Sequence, residues 1–148
     1  MQKKLDKAVE QEHRKRVNEV REILFRGKTP DGFWVEGYLV CHHTFDSVQI
    51  VFNSTYAGSR EVIPETVGQY TGLTDKNGNK IFEGDIVRTT FDDYDTKNLI
   101  CSWNEYNLEF ALSCYGFDIG LGYMVSYNLE VIGNIHDNPE LLKGGDAK

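Results

Sequence analysis

The sequence predicts a mainly β protein, β-rich α+β in class, with one N-terminal helix followed by antiparallel strands. Three observations lead there. The first nineteen residues lack Gly and Pro and are rich in Lys, Glu, Gln and Arg, which form helix well at exposed positions. From Arg21 the pattern changes to short β-branched and aromatic runs separated by Gly, Asn, Asp and Pro. Nothing in that remainder supplies the crossover helices of a parallel sheet, so the strands should pair antiparallel. A chain of 148 residues, 40% of them hydrophobic, has the material for one main core.

Within the helix, Leu5, Val9, Val17 and Val20 recur near the helical period, and His13 fills the missing turn. The stripe is narrow, which suits docking rather than burial all round. It can lie on its own domain, or form the seam of a self-association or of a contact with another protein. Leu5, Val9, His13, Val17 and Val20 are therefore the candidate oligomer or partner contact. The segment spans too few heptads to define a coiled coil.

Strands are expected at about 21 to 26, 33 to 41, 48 to 52, 85 to 91, 98 to 103, 107 to 114 and 129 to 135, with shorter pieces near 60 to 63 and 122 to 125. PDG at 30 to 32 and KNGN at 76 to 79 read as hairpin turns, Asn77 and Gly78 being suited to positive φ. Near the end, Asn138 can cap a short helical turn with Pro139 at its first position. The layout is then a helical extension at 1–20, a β domain at 21–142 divided into 21–68 and 69–142, and a frayed tail at 143–148.

Three stretches together resemble one family. REILFRG with Trp34 and Gly37 after it, VIPETVGQYTGLTDKNGNKIFEGDIV from Val62 to Val87, and VIGNIHDNPELL from Val131 to Leu142 are similar, in order, to the opening, central signature and closing segment of the YopX family of phage and prophage proteins. The resemblance implies a β-rich fold whose C-terminal part resembles an SH3-like barrel, and a phage or prophage setting. It transfers no catalytic residue. The sequence departs from the family's common form at the front, where about twenty helical residues precede the first shared strand. Residues 72 to 85 of the signature hold three Gly and two Asn, which suit tight turns, and Asp85 can accept hydrogen bonds from backbone N–H groups at the Glu83 to Asp85 corner.

Charge narrows the partners. Net charge is −7, yet residues 1 to 28 hold nine Lys/Arg against five Asp/Glu, so the head is basic and the body acidic. An acidic body repels phosphate backbones, and indiscriminate nucleic-acid binding by it is disfavoured. Twelve of the eighteen aromatics, among them Phe33, Trp34, Tyr38, Tyr56, Tyr70, Tyr94, Trp103, Tyr106 and Tyr123, exceed what a small core hides. Exposed rings serve protein interfaces or stack on single-stranded nucleic acid. Only Arg60, Lys76, Lys80, Arg88 and Lys97 accompany them between residues 29 and 142, which favours protein partners, another copy included.

The possible chemical sites fail on spacing. Asp75, Asn77 and Asn79 sit as the first three ligands of a calcium loop would, but Lys80 stands where Gly is required and Ile86 where a bidentate Glu is required. Cys41, His42 and His43 are adjacent, so only Cys41 and His43 share a strand face, with His136 as a distant partner, and no CxxC or HxxxH supplies the rest. Asp92, Asp93 and Asp95 read as a solvated acidic loop. No nucleophile motif, phosphate loop or dinucleotide fingerprint occurs. The three cysteines have no paired spacing, as suits reduced thiols, and no apolar run is long enough to span a bilayer. The expectation is a cytoplasmic, non-catalytic, self-associating interaction module without cofactor or metal. The alternative is a nucleic-acid-binding protein that uses the barrel surface and the basic helix.

Overall fold

The computed structural model describes residues 2–18, 20–44, 46–52, 58–90, 96–114, 116–125 and 127–145. Helix α1 runs Gln2–Asn18. Strands follow as β1 (Phe25–Lys28), β2 (Trp34–His42), β3 (Ser47–Val51), β4 (Ser59–Glu61), β5 (Gly68–Thr74), β6 (Lys80–Phe82), β7 (Asp85–Thr90), β8 (Thr96–Asn104), β9 (Glu109–Cys114) and β10 (Phe117–Gly120). One turn of helix, α2 (Leu121–Met124), precedes β11 (Glu130–Asn134), and a 3-10 segment closes the chain at Pro139–Gly145.

The strands form two antiparallel sheets, ordered β4-β3-β2-β1-β5-β6 and β10-β9-β8-β7-β11. The protein is thus mainly β behind a single long helix, as the sequence predicts. The SH3-like expectation for the C-terminal part meets no closed barrel: β10 and β11 are separate edges of an open sheet. Residue 69 lies inside β5, which pairs with β1 and carries the first sheet past that position.

Turns set the register where the sequence marked them. Gly32 at φ +96° closes the PDG turn, its N–H bonding Thr29 O at 2.9 Å. At KNGN only Gly78 takes a positive φ, +81°; Asn77 does not, and its N–H bonds the Asp75 carboxylate at 2.9 Å. Two expectations are corrected. The first strand begins at Phe25 rather than Arg21, since residues 21–24 precede the ladder and only Leu24 among them turns into the core. Residues 121–124 are helical, burying Leu121 and Met124 from one turn, where a strand was expected near 122 to 125. The closing 3-10 segment opens on Pro139 directly after Asn138, as expected; the Asn138 backbone O accepts Leu141 N–H at 3.1 Å, and its Oδ1 accepts the Asn134 N–H at 3.4 Å.

The main core gathers Ile81, Val87, Leu99, Cys101, Leu112, Leu121, Met124 and Leu129, so it lies between the second sheet, β6 and α2. Leu24, Tyr70 and Phe82 form a smaller cluster against the first sheet. The Glu83–Gly84 corner ties the two sheets together. Gly84 N–H bonds Cys101 O at 2.8 Å, and Gly84 O accepts Ile135 N–H at 2.9 Å, an arrangement made at φ +83°, where glycine is unstrained. Phe82 N–H donates to the Asp85 carboxylate at 2.8 Å, the corner contact the sequence suggested.

Candidate interaction surface

The polar groups that drew attention in the sequence are largely engaged by the fold. Asp75 is buried, and its two oxygens accept from Asn77 N, Asn79 N, Asn79 Nδ2 and Val131 N at 2.9 to 3.2 Å. Burial pushes its carboxyl up, but these bonds outweigh it and hold the pKa below the usual value. The loop is a hairpin anchored to β11, and the lone pairs a cation would use already face N–H groups. Lys76 continues the seam, its N–H on Leu129 O and its ammonium 3.2 Å from Glu130.

A second polar cluster spans the sheets. Arg26 on β1 sits 2.6 Å from Asp85 on β7, with its guanidinium over the rings of Trp34 at 4.8 Å and Phe82 at 5.0 Å. Desolvation raises the Asp85 pKa, and Arg26 acts against it. Beside this pair, Asp137 accepts from Lys28 Nζ at 2.5 Å, Trp34 Nε1 at 2.6 Å and Asn134 Nδ2 at 3.2 Å, which together hold its carboxyl down to about 2. His136 packs against Trp34, ring centroids 5.9 Å apart; desolvation and Arg26 lower its pKa and favour the neutral ring. These residues join β1 and β2 to the segment after β11, a structural tie that no local sequence signal reveals, because its members stand up to 109 residues apart.

The possible metal and thiol sites are dispersed. Cys41 pairs with Val48 and His42 with Ser47 in the β2–β3 ladder, while His136 is committed to Trp34. Among the described residues, no group of three or more His, Cys, Asp or Glu could hold a metal ion. Cys41 and Cys101 are free thiols; burial and the nearby Asp85 and Glu83 push Cys101 up to about 12, which keeps it protonated. Asp92, Asp93 and Asp95 lie outside the described residues.

Several large apolar side chains stay open to solvent. Residues 2–15 of α1 are exposed, including Leu5 at 54% and Val9 at 68%. Leu5, Ala8, Val9, Glu12 and His13 line a shallow depression along one side of the helix. Val17 falls within α1, but its side chain is outside the described residues. Val20, just past the helix, is exposed and opens a groove of about 870 Å³ that runs over Ile23, Phe25, Tyr38 and Leu39. Sequence reasoning found the stripe but not the groove, which combines the post-helix segment with β2. Elsewhere Phe33, Trp103, Tyr106, Phe117 and Tyr123 are exposed, whereas Tyr70 is buried; Tyr56, Tyr94 and Tyr115 lie outside the described residues. No helix among the described residues is long and apolar enough to cross a membrane.

Two antiparallel sheets tied by a buried ion pair, preceded by an amphipathic helix whose described side chains are exposed, define a small mainly-β protein. The chain belongs to the YopX family: the family model described as YopX protein matches residues 9–143. The match begins inside α1, so the family's shared region includes the second half of the helix and the extension ahead of it is shorter than the twenty residues expected. No curated protein matches the chain.

Proposed function

We propose that this protein is a non-catalytic, self-associating interaction module that acts through α1, in the phage or prophage setting its family resemblance implies. The observation that carries this reading is the exposure of the helix stripe. Most helical stability in proteins comes from packing of an amphipathic face rather than from propensity, and the described side chains of α1, residues 2–15, are all exposed on this copy. An exposed apolar face on such a helix gains most by meeting another. The basic flanks of α1 and the acidic body complement one another between copies.

Leu5→Asp with Val9→Asp tests this in the full chain. Both side chains are exposed in the single copy, so the melt at high dilution should be unchanged, while sedimentation velocity shows the assembly replaced by monomer. An assembly that survives the double substitution overturns the reading. A salt-sensitive shift of wild-type protein with single-stranded DNA or RNA, lost on neutralising Lys3, Lys4 and Lys7, would support the nucleic-acid alternative instead.

A further inference from the structure

Arg26 shows what surroundings this molecule builds for a guanidinium. The group lies over one indole, Trp34 at 4.8 Å, and one phenyl ring, Phe82 at 5.0 Å, and the Asp85 carboxylate meets it at 2.6 Å. The rings offer the negative π faces a cation seeks, and the carboxylate offers the counter-charge. The same three groups recur at the surface. Trp103, Phe110 and Glu83, with Gln69, line a recess of about 280 Å³. That is below the roughly 300–1,000 Å³ of pockets for drug-sized ligands, so the recess suits the head of one side chain.

Local structure fixes each wall. Trp103 and Phe110 are cross-strand partners in the β8–β9 ladder, their ring centroids 5.1 Å apart and their planes at 72°. By strand alternation they continue the face that carries the buried Leu99, Cys101 and Leu112, and they run past the end of the core, where Trp103 is exposed and Phe110 half-buried. The Glu83–Gly84 corner meets β8 through Gly84 N–H on Cys101 O, two residues from Trp103. Glu83 and Gln69 hold each other there: Glu83 N–H donates to Gln69 O at 3.0 Å, and Gln69 N–H donates to Glu83 Oε2 at 2.8 Å. Oε1 stays free for a further donor. Arg26 is close, donating to Glu83 O at 3.3 Å, but its charge is matched by Asp85. Among the described residues no Lys, Arg or His forms an ion pair with Glu83, so the recess keeps one uncompensated negative charge.

We infer that Trp103, Phe110 and Glu83 form a binding site for an arginine side chain of a partner protein, its guanidinium lying against the indole and donating to Glu83 Oε1. Arginine suits the site better than lysine, because its planar head stacks on a ring face while its N–H groups remain in the plane for the carboxylate. The site lies outside α1 and goes beyond self-association through the helix, on which it does not depend.

Proton–nitrogen correlation spectra of the full chain carry two indole N–H signals, and Trp103→Leu identifies the one from Trp103. Acetyl-Gly-Arg-Gly-amide should shift that signal saturably and leave the Trp34 signal in place, with a dissociation constant on the order of 1 mM for so few contacts. The citrulline peptide, equal in shape but uncharged, should bind at least tenfold more weakly. Glu83→Gln keeps an oxygen for the Gln69 N–H and should erase the difference between the two peptides. Trp103→Leu, read at the Phe110 amide, should abolish binding of both. A Trp103 signal unmoved by the arginine peptide, equal binding of the citrulline peptide to the wild type, or full discrimination retained by Glu83→Gln would each overturn the site. An indole signal that moves on dilution of the free protein would give the recess to a second copy and overturn a foreign partner.

Discussion

Arg26 and Asp85 show how much of this fold depends on single contacts. Asp85 is 1% exposed and Arg26 13%, so removing one partner leaves a buried charge without its counter-ion. Arg26→Met should cost about 3–5 kcal/mol in urea denaturation, the range for breaking buried pairs, and adding Asp85→Asn should recover part of it. A loss below about 1 kcal/mol for the single change would show that water reaches the pair. Asp137 gives a pH signature. Its folded pKa, about 2, lies below the ordinary 3.8, so its contribution is complete above that ordinary value and is lost as pH falls from about 4 toward 2. Melts of Asp137→Asn should therefore be less stable than wild type at pH 6 and converge with it near pH 2; curves that stay parallel throughout would remove the role given to Asp137. None of these pairings was legible in the sequence. Arg26 and Asp85 are 59 positions apart, and although the sequence places Asp85 at a corner that accepts backbone N–H bonds, nothing local pairs it with Arg26.

At the scale of elements, legibility followed periodicity. α1 lies where its Gly- and Pro-free, Lys/Glu/Gln/Arg-rich run predicts, and strands β2, β3, β7, β8, β9 and β11 lie near their predicted places because each carries a β-branched or aromatic run. β5 went unrecognised because GQYTGLT carries two glycines and only one branched aliphatic-sized anchor, Leu73, so its place is set by pairing with β1 and β6 rather than by local preference. The helical α2 was mistaken for strand because a four-residue apolar run has no period to read. Gly68 makes β5 sensitive despite its weak pattern: a Cβ there would lie 2.5 Å from Glu83 O, a backbone atom of the corner that joins the sheets. Gly68→Ala should cost roughly 1–3 kcal/mol, as overpacking does, read from the midpoint of thermal or urea unfolding. An unchanged midpoint would mean that the corner yields freely.

For the molecule as a whole, the sequence revealed one half of the candidate interface and concealed the other. The stripe lies within a single helix, where spacing of three and four residues is visible; the groove is assembled from residues 20–25 and from β2, and only the folding of β1 against β2 brings them together. The β1–β2 register, Phe25 opposite Gly37, places Phe25 beside the strand that carries Tyr38 and so sets the groove's width. The two tryptophans divide the molecule in another way. Trp34 sits in the tie between the sheets, bonded to Asp137 and tilted against His136, while Trp103 stands 44% exposed on β8, edge-to-face with Phe110. The protein consequently carries two optical reporters of different events: with Trp103→Phe, the remaining indole emission follows the opening of the seam alone, shifting to the red only when water reaches the place where the two sheets are joined.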